Sequence, residues 1–129
     1  MNVWVVDDDE SIRWVLEKSL ARDGLKPRSF PGAAELLDAL EEEEPDVLLS
    51  DIRMPGVDGL ELMARVRAAH PTLPVIIMTA HSDLDAAVAA YKGGAFEYLP
   101  KPFDVDVVSG LVRRAAELCE KYARPVADW

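Results

Sequence analysis

Apolar residues along this 129-residue chain fall into two alternating patterns: short unbroken runs, and longer stretches in which they recur every three or four positions. Unbroken runs of four or so, bounded by polar or turn-forming residues, predict strands covered on both faces. They place strands over residues 2–6, 46–50 and 75–78, the last ending in Thr79. Two weaker strands are expected over 25–30 and 96–99, and Pro27 argues for an edge position for the former. Helical spacing fills the gaps. Residues 10–23 carry Ile12, Val15, Leu16, Ser19 and Leu20 on one face, and Gly24 follows as a left-handed cap. Residues 33–40 turn Leu36, Leu37 and Leu40 inward, and 58–69 do the same with Leu60, Leu62, Met63 and Val66. A fourth helix, capped by Ser82 or Asp83, reaches Tyr91 before Gly93-Gly94, and a fifth runs from about Asp104 to Tyr122.

Five strand–helix units in series predict an open parallel sheet with helices on both faces. The weak second strand belongs at an edge. The flavodoxin-like order 2-1-3-4-5 satisfies this and puts the topological switch point between the first and third strands, where ligands bind outside the carboxyl ends. Each run ends there in polar residues: Asp7-Asp8-Asp9, Asp51, Thr79 and Pro100-Lys101-Pro102. Clustered carboxylates raise each other's pKa unless a cation lies among them, and a hard cation such as Mg²⁺ suits carboxylate oxygens. Lys101 adds a fixed positive charge and Thr79 a hydroxyl able to donate to a phosphoryl oxygen. A carboxylate in such surroundings can attack phosphorus and form an acyl phosphate. Gly56 and Gly59 allow a tight loop after Asp51, and Arg53 can offer its backbone carbonyl to the metal.

Charge narrows the partners. A formal net charge of −10 disfavours direct contact with nucleic acid phosphates. No apolar run approaches the roughly 20 residues that span a membrane, and no basic segment precedes the first run, so a cytoplasmic location is expected. The acidic run Glu41 to Glu44 reads as a solvated helix end. Cys119 is the single cysteine, so no internal disulfide forms, and its helical spacing with Val112, Ala115 and Tyr122 suits a packed thiol. Residues 1–122 are expected to form one domain, with 123–129 starting a linker or tail.

Together, Val5-Val6-Asp7-Asp8-Asp9, Ser50-Asp51-Ile52-Arg53-Met54-Pro55-Gly56, Met78-Thr79-Ala80 and Leu99-Pro100-Lys101-Pro102-Phe103 resemble the receiver (phosphoacceptor) domain of two-component response regulators. Residues 11–16 and 80–88 are similar to the nitrogen-regulation activators of that family. The resemblance implies Asp51 as phosphoacceptor. It implies Asp7 and Asp8 as holders of Mg²⁺ with Asp51 and the Arg53 carbonyl. Thr79 and Lys101 become the phosphoryl-binding groups, Tyr98 the aromatic that reorients on activation, and the Lys101-Pro102 bond one that is often cis. It also implies a sensor histidine kinase as donor. The output would be ATPase and DNA-binding domains outside these residues, and homodimers could form through the fourth helix, fifth strand and fifth helix. Such a domain is a regulatory switch that catalyses only its own phosphorylation and dephosphorylation.

A rival reading is an aspartate-nucleophile phosphohydrolase of the haloacid dehalogenase type. That chemistry needs a second Asp two positions after the nucleophile, where this chain has Arg53. A nucleotide-binding module is a second rival, but no Gly-rich loop follows the first strand.

Overall fold

The computed structural model describes residues 1–52, 58–80, 84–101 and 104–123. Five strands alternate with five helices: β1 (Asn2–Val6), α1 (Glu10–Arg22), β2 (Lys26–Phe30), α2 (Ala33–Leu40), β3 (Val47–Asp51), α3 (Gly59–Ala69), β4 (Val75–Ala80), α4 (Leu84–Lys92), β5 (Glu97–Lys101) and α5 (Val105–Ala123). The strands form one sheet in the order β2-β1-β3-β4-β5, and every pairing is parallel.

Alternation along the strands divides the core in two. Val3, Val5, Val47, Leu49, Ile76, Met78 and Leu99 meet Leu16 and Leu20 of α1 and Val108, Val112 and Ala115 of α5. Trp4, Val6, Leu48, Val75 and Ile77 meet Leu36 and Leu40 of α2 and Leu62, Met63 and Val66 of α3. β3 is buried at all five positions because both of its faces are covered. β2 and β5 are the edges; the Lys26 N–H donates toward β1, so Pro27 alternates to the open side and costs no ladder hydrogen bond.

Helix ends follow local chemistry. The Asp9 carboxylate accepts from the Ser11 and Ile12 N–H groups at the start of α1, and the Asp58 carboxylate accepts from the Glu61 N–H at the start of α3. Gly24 has φ +83°, the left-handed conformation expected just past α1. Two details differ from expectation. Val15 is 38% exposed rather than inward. Leu16 centres the buried stripe of α1, and at about 100° per residue Val15 lies beyond its flank. β5 extends through Lys101 rather than stopping at Leu99, with Thr79 paired to Pro100 and Ala80 to Lys101. The expected Gly56 turn, the Ser82 or Asp83 cap, the Lys101-Pro102 bond and the tail 124–129 lie outside the described residues, as does the side chain of Cys119.

Gly59 has a tighter role than loop flexibility. Its N–H donates to the Ile52 carbonyl at 2.9 Å, closing the connection between β3 and α3. A Cβ at Gly59 would sit 2.2 Å from the Asp51 carbonyl oxygen, which is backbone and cannot swing away. Gly59→Ala is therefore expected to cost about 1–3 kcal/mol, measured by urea denaturation, and to shift the Asp51 amide resonance. An unchanged midpoint would rule out that close approach.

Candidate functional site

Register brings the carboxylates together. The β1–β3 pairing runs to Val6 opposite Ser50, so the next residues on the two strands are Asp7 and Asp51. Both continue the side-chain alternation of Val3, Val5, Val47 and Leu49, and so stand on the α1/α5 side of the sheet. Lys101 follows Leu99 by two residues and shares that side. Its ammonium reaches across β4 and donates to Asp7 Oδ2 at 3.0 Å and Asp51 Oδ1 at 3.2 Å. Asp7 is fully buried and Asp51 is 7% exposed, so these ion pairs are shielded from water.

Asp8 completes the group. One carboxylate oxygen each from Asp7, Asp8 and Asp51 lie within 4.8 Å of one another. Hard oxygen donors at this spacing form a cluster that could hold a divalent cation. Asp9 is separate: its carboxylate is spent on the α1 cap, and its N–H donates to Asp7 Oδ1 at 2.9 Å. Thr79 is buried at the end of β4, one residue past Met78, the register partner of Asp51. Tyr98 is half-buried on β5, and its ring meets Tyr91 of α4 edge-on at 5.4 Å. Arg53 lies outside the described residues. The groove of about 780 Å³ lined by Met1, Asp46, Pro74, Arg113 and Glu117 is at the opposite, amino end of the strands, away from this cluster.

The electrostatics follow from burial and neighbours. Burial raises the Asp51 carboxyl pKa above 3.8, the negative charges of Asp7 and Asp8 push it the same way, and Lys101 opposes them without cancelling them. Burial by itself would lower the Lys101 ammonium, but its hydrogen bonds to Asp7 and Asp51 and their charges outweigh that and raise it.

Two contacts carry no signal in the sequence pattern. The Arg13 guanidinium donates to the Asp7 carbonyl at 2.6 Å. Glu97 accepts from the Tyr91 hydroxyl and lies 3.8 Å from the Arg114 guanidinium, joining α4, β5 and α5. Arg13 stood out only within the run 11–16, by resemblance, and Glu97 not at all.

The fold and this strand-edge cluster define a receiver domain. The chain belongs to the response regulator receiver domain family, which matches residues 3–113. It is 62% identical over 123 residues to the DNA-binding transcriptional regulator NtrC of Escherichia coli K12, covering 95% of this chain and 26% of that protein. The chain thus spans about a quarter of the length of that relative. Among solved structures it resembles the apo receiver domain of nitrogen regulatory protein C, with TM-score 0.81 and 64% identity over 89% of this chain and 93% of that one. The BeF3-activated form of the same receiver domain matches with TM-score 0.78, 64% identity and the same coverage. Nothing in these matches favours the phosphohydrolase reading. No helix among the described residues is long and apolar enough to cross a membrane.

A raised folded-state pKa means that the fold favours protonated Asp51. The contribution is present below the ordinary value near 3.8 and lost as pH rises through the folded value, so ionised Asp51 destabilises the metal-free protein at neutral pH. Asp51→Asn should raise the melting temperature in EDTA at pH 7 by a few degrees, and the gain should shrink as pH falls toward 4. Equal melting temperatures at pH 7 would show that burying ionised Asp51 beside Asp7 carries no such cost.

Proposed function

We propose that this chain is a phosphorylation-controlled switch in which Asp51 accepts a phosphoryl group from the phosphohistidine of a sensor kinase. The observation that carries the reading is the Lys101 ammonium bridging buried Asp7 and Asp51 at the carboxyl edge of the sheet. An Asp51 carboxylate oxygen attacks phosphorus, the P–N bond breaks, and the imidazole leaves. Lys101 holds Asp51 by Oδ1 and so orients the carboxylate for that attack. Asp7, Asp8, Asp51 and the Arg53 carbonyl would hold Mg²⁺, which when bound neutralises charge on the carboxylates and phosphoryl oxygens. Because the domain supplies these groups itself, small acyl phosphates and amidophosphates serve as donors too. Its catalysis is confined to its own phosphorylation and dephosphorylation.

The added charge draws Thr79 and Lys101 toward the phosphoryl group and shifts an equilibrium of α4, β5 and α5. Moving such an equilibrium from 1:99 to 99:1 takes about 5.5 kcal/mol of differential binding. One charge-assisted hydrogen bond supplies roughly 1.5–3 kcal/mol, so Thr79 and Lys101 must both contribute. Tyr98 occupies the space vacated as the β4–α4 connection moves. Val88 and Tyr91 of α4 and Val107 of α5 are 44%, 45% and 51% exposed, and they form the surface offered to an output domain or a second copy. Leu84 and Ala87 belong to the same proposed surface, but their side chains lie outside the described residues.

NtrC is named a DNA-binding transcriptional regulator, which supports a DNA-binding output outside this domain, joined with the ATPase domain that the family resemblance implies through a linker beginning at 123–129. The BeF3-activated NtrC receiver supports the reading of this domain as one that can be switched to an activated form. The setting is the cytoplasm, without direct nucleic acid contact by this domain.

Acetyl phosphate with Mg²⁺ should add one phosphoryl mass, and Asp51→Asn should remove the adduct; intact-mass analysis showing an undiminished adduct would sink the assignment. Mg²⁺ at 100 times its dissociation constant should stabilise the protein by about 2.7 kcal/mol. Asp8→Ala should abolish that gain in a melting experiment, and a full Mg²⁺ shift in the variant would remove Asp8 from the ligand set. Phosphorylation should move amide resonances across α4 and β5. Thr79→Ala should still be phosphorylated but show smaller distant shifts, whereas changes confined to the loops around Asp51 would contradict switching.

A further inference from the structure

Arg13 stands outside the carboxylate cluster, yet its guanidinium is tied to it. It lies in the first turn of α1, where its own N–H donates to the Asp9 carbonyl at 3.1 Å. Its Nη1 folds back to donate to the Asp7 carbonyl at 2.6 Å. That carbonyl belongs to the peptide unit joining Asp7 to Asp8. A peptide unit is planar, so fixing its oxygen fixes the direction in which the chain enters Asp8.

The two carboxylates depend on that plane to different degrees. Asp7 is buried and held by three other hydrogen bonds: its N–H to the Phe30 carbonyl at 3.2 Å, Oδ1 to the Asp9 N–H at 2.9 Å, and Oδ2 to Lys101 at 3.0 Å. The Asp8 side chain is exposed, so its direction relies on the backbone it leaves. A tilt of the 7–8 peptide would leave Asp7 in place and swing the Asp8 carboxylate out of the 4.8 Å group.

We propose that Arg13 is a positioning residue for a divalent cation, holding the Asp7–Asp8 peptide so that the Asp8 carboxylate faces those of Asp7 and Asp51. This rests on the metal-dependent phosphoryl-acceptor reading and adds to it how the site is kept in shape. The alternative role, a surface cation near three carboxylates, makes the opposite prediction. Removing a positive charge beside a cation site strengthens cation binding by Coulomb's law. Removing a group that orients ligands weakens it, typically by about 10–100-fold.

The test is Mg²⁺ titration of the wild type, Arg13→Met and Arg13→Lys, followed by amide shifts, together with the acetyl phosphate reaction rate as a function of Mg²⁺. Arg13→Met should bind Mg²⁺ about 10-fold or more weakly, and its phosphorylation rate should recover toward wild type at saturating Mg²⁺. Arg13→Lys keeps the charge but not the planar fork of donors, so it should also weaken binding, to a lesser degree. It serves as the comparison if Arg13→Met does not fold. Mg²⁺ affinity equal to or tighter than wild type in the folded variants overturns the proposal alone. A rate deficit that persists at saturating Mg²⁺ with unchanged affinity also overturns it. If the wild type shows no Mg²⁺ dependence, the metal reading itself fails, and the positioning role with it.

Discussion

The crowding of Asp7 and Asp51 at the ends of two adjacent parallel strands is the constraint on which the rest of the molecule turns. Parallel pairing leaves no freedom here: Val6 opposite Ser50 makes the next two residues neighbours, and period-two alternation puts both carboxylates on one side. Buried like charges of this kind are costly unless countered. Lys101, delivered by the far edge strand, is the counter-charge that the fold itself provides. One ammonium against three carboxylates leaves negative charge unbalanced; burial first, and the charges of Asp7 and Asp8 after it, raise the Asp51 pKa. A site built in this way stores an affinity for cations, and the same unbalanced charge is what a bound metal would neutralise.

The scaffold is not held equally on all sides. α5 is tied to α1 by polar contacts at several points: Arg22 donates to Asp106 at 3.0 Å, the Ser109 hydroxyl donates to the Asp23 carboxylate, and Arg113 donates to the Asp23 carbonyl. The Arg22–Asp106 pair is exposed and contributes little by itself, but Ser109 is buried between the helices. α4 meets β5 through the Tyr91–Tyr98 edge contact and the Tyr91–Glu97 hydrogen bond, both at its C-terminal end. It is followed by Gly93 and by Gly94 with φ +99°, so the helix stops there. A perturbation arriving through Thr79 at the end of β4 therefore meets a helix with exposed Val88 and Tyr91 whose polar tie among the described residues lies at its C-terminal end. That is why the proposed motion concentrates in α4 and β5 rather than in α1 or the sheet.

Unbroken apolar runs against helical spacing identified the three central strands and the helices, because burial on two faces and burial on one stripe impose different periods on a sequence; the two edge strands showed only as weaker runs. Pro27 marked an edge for the same kind of reason: a central strand needs every ladder N–H. The runs' polar ends named Asp7, Asp8, Asp51, Thr79 and Lys101 as candidates, since strand ends in a parallel sheet share one rim. Asp9 caps α1 through the N–H groups of Ser11 and Ile12, but among three consecutive carboxylates only the structure separates the cap from the cluster. What the sequence could not contain was distance across the fold. That Lys101 spans β4 to reach two carboxylates, that a Cβ on Gly59 would strike the Asp51 carbonyl, and that Arg13 grips the Asp7–Asp8 peptide all depend on strand register and helix placement. Those are set by packing between segments far apart in the chain, and no local pattern of residues records them.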